Sequence, residues 1–355
     1  EMKRILAALL AGTMAVTSLV GCSSEEGSTP VQGNQEASTE DALKVALLIP
    51  GNLGDKSFYD AANNGVKKVE EELGAEVKVV EMGTDQTKWE PTVLDFSEQD
   101  WDIIISGSWD MTPIFNEIGE LYPDKKYINF DTSEPEVVDN VYSMFYRTNE
   151  LAFLAGSLAA IEAEEKGQNT IGFIGDIEGA QHVNKDIKVA TAYAGSFVDA
   201  TKGKEVAISM YNQGIDIIFQ VAGQTGLGVI DAAKELDKYV IGVDSDQALA
   251  FMESDKEKAE HVVTSAIKKI DESILRAVNM HVEGTLPYGS HEVLGVAEGG
   301  VGLAKNEIYK SLVSEENQAR IEAIEAQITN GEVEVSTAFG LSNEEIAARR
   351  DAVRP

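Results

Sequence analysis

The chain has 355 residues, 43% hydrophobic and 25% charged. That composition excludes wholesale disorder and collagen-like repeats, and the length leaves room for two domains. Counts of 29 Lys and Arg against 61 Asp and Glu give a formal charge of −32. So acidic a chain argues against nucleic acid as a partner, because phosphate affinity comes from cations, and favours a soluble monomer. One cysteine, Cys22, and four histidines without an HExxH pair exclude a disulfide framework and a cysteine-based zinc site. Neither a metal nor a cofactor is expected.

In chain order, Lys3 and Arg4 precede an apolar stretch from Ile5 to Val20. This is the pattern of a secretory signal, and it is too short and too rich in small residues to read as a membrane span. It ends in Leu19-Val20-Gly21-Cys22, which resembles a bacterial lipobox. Cleavage before Cys22 and diacylation of its thiol would supply the two chains that stable anchoring requires. The bland alternative is an ordinary signal peptide with an incidental cysteine. Ser23 to Asp41 is polar and cannot build a core, so it reads as a flexible tether. The expectation is a signal peptide at 1–21, a lipidated Cys22 and tether at 22–41, and a body held at the outer face of a cell membrane.

From Lys44 the chain alternates. Lys44 to Ile49 (KVALLI), Glu76 to Met82, Asp102 to Ser106 and Tyr127 to Asp131 read as strands; Ser57 to Leu73, Trp89 to Phe96 and Pro113 to Leu121 read as helices. Near-continuous apolar strands between helices imply a parallel sheet covered on both faces. The pattern then restarts. Strands are expected at Val141 to Arg147, Thr170 to Gly175, Ile187 to Tyr193, Ile215 to Val221, Tyr239 to Asp244 and His261 to Ile267. Helices are expected at Glu150 to Ala163, Lys202 to Tyr211, Leu227 to Leu236 and Asp271 to Val282. The fold class is therefore α/β, with two doubly wound parallel-sheet lobes joined by a hinge and a ligand cleft at the carboxyl ends of the strands. One interval breaks the rhythm. Asp176 to Asp186 shows no helical pattern, so either a bare loop makes the crossover or the flanking strands are not neighbours.

Three features invite chemistry. Gly51 to Phe58 (GNLGDKSF) joins the first strand to the first helix. A helix N-terminus there attracts polar groups, although Ser57 reads equally as its N-cap and Asp55 as a charge near the positive end of the dipole. Gly223 to Gly228 (GQTGLG) lacks the GxGxxG offsets and a Walker lysine, so turn chemistry is preferred to phosphate binding, with a close backbone approach at Gly223 left open. Asp131 and Asp244 both end buried strands and point toward the cleft, where they could accept from sugar hydroxyls or cap loops. A glycosidase pair is disfavoured because no acid–base partner is in view.

Several segments, in order, resemble the basic membrane protein family of substrate-binding lipoproteins, which includes a purine nucleoside receptor. They are Asp55-Lys56-Ser57-Phe58, the helix opening Glu150-Leu151-Ala152-Phe153, Gly195-Ser196-Phe197, Val221-Ala222-Gly223, Ile241-Gly242-Val243-Asp244-Ser245-Asp246-Gln247, Thr264-Ser265 with Lys268, and Gly300-Val301-Gly302-Leu303. The resemblance implies a fold similar to type I periplasmic binding proteins and a nucleoside handed to an ABC permease. It also implies Phe58 and Phe197 as walls of a purine slot, with Asp244 and Lys268 on the ribose. Asp55, Ser57 and Asp131 follow as further polar partners, and Gly223 as a point of close approach. The interval after Gly175 departs from the family by about fifteen residues, so the second lobe is expected to lack one crossover helix and to be less stable. Lobes are expected at 42–146 with about 263–288, and at 147–262 with about 289–345, followed by a polar tail at 346–355. The rival readings are a binding protein for a sugar or autoinducer-like ligand, a nucleoside-processing enzyme, and a surface adhesin or sensor. An enzyme would need an Asp cluster for metal or a phosphate cradle, and neither is visible.

Overall fold

A computed structural model describes residues 42–173 and 178–355. The expected signal, Cys22 and the tether lie outside the described residues, as do Ile174 and Gly175 at the end of the expected sixth strand. Among the described residues no helix is long and apolar enough to cross a membrane.

The first lobe begins with β1 (Lys44–Ile49), α1 (Phe58–Leu73), β2 (Glu76–Glu81), α2 (Trp89–Glu98), β3 (Ile103–Gly107), α3 (Met111–Leu121), β4 (Lys126–Phe130) and β5 (Val141–Tyr146). Every residue of β1 after Lys44 is buried, which is why that strand is apolar on both faces. The helix α1 stops where Gly74 turns left-handed at φ 66° and its amide donates to the Glu70 carbonyl at 3.0 Å, as a glycine stop does. The second lobe runs through α4 (Thr148–Glu165), β6 (Thr170–Phe173), α5 (Glu178–Val183), β7 (Lys188–Thr191), α6 (Ala200–Tyr211), β8 (Ile217–Phe219), α7 (Thr225–Glu235), β9 (Tyr239–Asp244), α8 (Gln247–Met252), α9 (Lys256–Ala259) and β10 (Val262–Lys268). The chain returns to the first lobe for α10 (Ile270–Val282) and β11 (Ser290–Leu294). It ends in the second with β12 (Val301–Leu303), α11 (Glu307–Leu312), α12 (Glu315–Thr329) and α13 (Asn343–Ala352).

The two sheets share one plan: β11-β5-β4-β3-β1-β2 in the first lobe and β12-β10-β9-β8-β6-β7 in the second. The outermost strands differ in sense, since β11 runs parallel to β5 and β12 antiparallel to β10. By this plan β4 and β9 are equivalent, and the residues at their carboxyl ends are Asp131 and Asp244.

Three expectations need correction. The strand β10, assigned to the first lobe from residue 263, pairs with β9 in the second sheet, and β11, assigned to the second lobe, completes the first sheet. A strand joins the sheet that offers it an open edge, and periodicity cannot reveal which edge that is. The interval after β6 is not a bare loop: α5 occupies it, and β6 and β7 are parallel neighbours. That helix has six residues, against sixteen in α1, which makes the equivalent connection in the first lobe. The polar stretch 346–355 holds most of α13 and a nearly inaccessible Val353.

The chain crosses between lobes after β5, β10 and β11, and hydrogen bonds tie these crossings together. The Arg147 amide donates to the Leu294 carbonyl at 2.9 Å, and the Lys269 amide to that of Gly300 at 2.9 Å. The buried Glu150 carboxylate accepts from the Val296 amide at 2.7 Å and pairs with Arg147 at 3.0 Å.

Candidate functional site

The turn after β1 is pinned by two carboxylates. Asp55 accepts from the amides of Ser57, Tyr59 and Asp60 at 3.0, 2.9 and 3.1 Å, and Asp60 accepts from those of Gly54 and Lys56 at 2.9 and 2.8 Å. Burial raises the Asp55 carboxyl above the usual range against the pull of those amides. Both oxygens of Asp55 are thus engaged in starting α1, where free backbone amides and the dipole favour an anion. Ser57 does not cap the helix with its side chain. Its hydroxyl reaches the other lobe, lying 2.6 Å from an Asp244 carboxylate oxygen and 3.2 Å from the Val243 carbonyl.

Asp131 and Asp244 both adopt left-handed backbone, φ 60° and 64°. That conformation is uncommon for a residue with a Cβ and concentrates where structure holds it for function. Between the two carboxylates sits Lys268, on the last residue of β10. Its ammonium is 2.7 Å from Asp131 and 3.7 Å from Asp244. All three side chains are close to buried, with 12%, 12% and 9% exposure for Lys268, Asp131 and Asp244. Burial lowers the Lys268 pKa, but Asp131 and Asp244 outweigh it and carry the group above the usual lysine value. For Asp244 burial wins and raises the carboxyl, opposed by Lys268 and the Ser57 hydroxyl. The triad spans the seam between lobes, with one carboxylate from each.

Phe58 borders this triad, with its ring 5.3 Å from the Lys268 ammonium. Its ring packs against Phe130 at 5.4 Å and Tyr59 at 5.1 Å. Phe130 is in turn seated over Gly107, where a Cβ would overlap its ring. Phe197 and Gly223 form a second group. Gly223 is left-handed at φ 53°, and a Cβ there would stand 3.2 Å from the Phe197 carbonyl. Phe197 is 66% exposed and makes no ring contact with Phe58. Asp55, Ser57, Phe58, Asp131, Asp244 and Lys268 therefore gather at the seam, while Phe197 and Gly223 stand apart on the second lobe. The other glycines of the GQTGLG segment serve packing. Cβ atoms at Gly226 and Gly228 would overlap the Gln220 side chain and the Ala200 carbonyl.

Sequence reasoning missed Lys56, although it lies inside a motif that was singled out. Left-handed at φ 49°, it reaches across the seam: its ammonium donates to the Ala250 carbonyl at 3.1 Å and lies 5.0 Å from the Phe251 ring. Its own carbonyl accepts from the Ser245 hydroxyl at 2.8 Å. A cavity of about 590 Å³ opens beside Lys268, lined by Asn149, Phe219, Val221 and Val243 and by the chain between Ser336 and Arg350. Among the described residues no group of His, Cys, Asp and Glu could hold a metal ion.

The profile of a family described as ABC transporter substrate-binding protein, PnrA-like, matches residues 42–338. Basic membrane protein A of Borreliella burgdorferi is 34% identical over 312 residues, covering 82% of this chain and 86% of that protein. An uncharacterized lipoprotein of Pyrococcus abyssi is 29% identical over 322 residues, covering 84% of this chain and 76% of that protein. Among solved structures, a solute-binding protein of an ABC transporter system from Aeropyrum pernix superposes with a TM-score of 0.74 at 25% identity, over 87% of this chain and 98% of that one. A glucose-galactose binding protein from Geobacillus stearothermophilus superposes at 0.51 and 16% identity, over 74% and 97%, which bears on the fold alone. The two-lobed plan is that of type I periplasmic binding proteins.

Proposed function

The chain belongs to the PnrA-like family of ABC transporter substrate-binding proteins, and on that footing we propose that its solute is a nucleoside, with a purine base. The family binds solutes for ABC transporters, so the chain is a binding protein and not an enzyme. In this reading the base lies against Phe58, with Phe197 closing on its other face. The ribose hydroxyls donate to Asp244 and accept from Lys268. Asp131 orients the ammonium, Ser57 orients the Asp244 carboxylate, and Asp55 acts at one remove by holding the α1 turn. Gly223 lets the backbone draw close to the base. Hinge closure follows from contacts shared between lobes, which favour the closed state. Diacylated Cys22 would tether the body at the outer face of the cell membrane, next to the permease.

The observation that carries the reading is the carboxylate–ammonium–carboxylate triad of Asp131, Lys268 and Asp244 beside the Phe58 ring. Vicinal hydroxyls suit the triad, and a flat base suits the ring. The test is calorimetric titration with guanosine, inosine, adenosine, cytidine and glucose, after unfolding and refolding to strip any bound ligand. One-to-one binding of purine nucleosides is expected. Phe58→Ala and Phe197→Ala should each cost about 1–3 kcal/mol, the worth of one base–aromatic stack. Folded protein that gives no heat with any nucleoside, or that binds glucose in their place, refutes the reading.

A further inference from the structure

We propose that the chain from Ser336 to Val353 is a strap that stands in for the shortened crossover of the second lobe and walls the cavity beside Lys268. Three independent observations meet here. First, the connection from β6 to β7 contains a helix of six residues, where the equivalent connection of the first lobe contains sixteen. The strand β7, which follows that short helix, is the outermost of its sheet, and an unpaired edge leaves backbone amides open. Second, the C-terminal segment supplies that cover. The Val189 amide of β7 donates to the Val353 carbonyl at 2.8 Å. Val353 is 2% exposed, so its side chain is buried where its carbonyl meets β7. Third, the family profile matches residues 42–338, so α13 and Val353 lie outside the matched residues.

The segment is held at its two ends. At the near end Asn149, in the first turn of α4, donates to the carbonyls of Val335 and Ser336 at 3.1 and 3.2 Å. The Phe339 ring meets Phe145 edge-on at 5.7 Å. At the far end Val353 is seated against β7. Between them α13 begins with a complete capping box, Ser342 with Glu345, yet buries none of its own residues. A helix stabilised by its own caps, with Arg349 donating to the Ser336 hydroxyl at 3.0 Å, is suited to bridge a gap. Phe339, Ile346 and Arg349 from this bridge line the cavity that Lys268 borders. Removing the strap would open the cavity to solvent and give a bound solute a second way out. The structural half of the proposal stands by itself, whereas the effect on solute rests on the nucleoside reading.

The test compares the chain with a variant ending at Leu341 and with full-length Val353→Asp and Val353→Ile. Hydrogen exchange is read at Val189, with β1 of the first lobe as internal reference, and guanosine dissociation is read by stopped flow. The expected result is exchange at Val189 at least ten times faster in the shortened chain and in Val353→Asp, unchanged in Val353→Ile, with β1 unaffected. Guanosine should leave the first two variants at least five times faster. Unchanged exchange at Val189 in Val353→Asp overturns the strap, as does faster exchange spread equally into β1. If the unaltered chain does not bind guanosine, the nucleoside reading falls, and exchange at Val189 still decides the strap.

Discussion

Replacing Lys268 by Met should make the ligand-free protein markedly less stable at neutral pH, by an amount that shrinks in acid. At an effective dielectric of about 20, unit charges separated by the 2.7 and 3.7 Å of the triad attract by about 6 and 4 kcal/mol. Desolvation of three nearly buried ions takes back several kcal/mol for each, so the intact triad contributes little net stability. Removing the cation alone is different. It leaves two buried carboxylates facing one another without compensation, and loss of one partner from a buried pair costs about 3–5 kcal/mol. The expected loss at pH 7 is therefore about 3 kcal/mol or more, read by urea denaturation of refolded protein so that bound solute does not add to stability. Asp244 already sits above the usual carboxylate value. Without Lys268 it rises further, and the native state then takes up a proton that the unfolded chain takes up only near 3.8. Stability of the variant relative to the parent must accordingly rise as pH falls through that raised pKa. Adding Asp244→Asn should recover part of the loss at pH 7. A loss below about 1 kcal/mol, or one that is the same at pH 7 and pH 5, refutes the account of the triad as a coupled buried array.

Gly107→Ala places a methyl group against the Phe130 ring, which backs Phe58; overpacking should cost about 1–3 kcal/mol in denaturant and weaken nucleoside binding without any contact to the ligand, and unaltered affinity would detach Phe58 from its support. Lys56→Ala removes the ammonium that bridges to Ala250 and Phe251 and should shift ligand-free protein toward an open form, read as a larger radius of gyration by X-ray scattering. Nucleoside affinity should fall as pH drops through the raised Asp244 pKa, with a midpoint above 3.8, because a protonated carboxyl loses its charge. Lys268, held above 10.5 by its carboxylates once burial is overcome, should stay charged through the neutral range, and loss of binding on raising the pH from about 7 to about 9 in calorimetry would contradict that.

What could be read from residue order alone was what depends on near neighbours. The buried strand KVALLI, the α1 periodicity, and the placement of Asp131 and Asp244 at strand ends follow from local pattern, and the doubly wound class follows from their alternation. The ordered motifs carried the family. Past Val282, sequence reading placed no element, and β11, β12, α11 and α12 went unseen. In α12 the buried Asn317, Ile321, Ile324 and Ile328 recur at helical spacing, but the surrounding charge masks them. Tertiary structure decided everything that requires distant groups to meet. The hydroxyl of Ser57 finds Asp244 187 positions away, whereas Asp55, beside it in the chain, is used up by its own helix. No local signal separates those two fates, because the choice depends on which amides and carboxylates the packed lobes leave without a partner. The same holds for β10, which joins the second sheet because an edge is open there, and for Val353, whose carbonyl meets the Val189 amide of β7 far back in the chain.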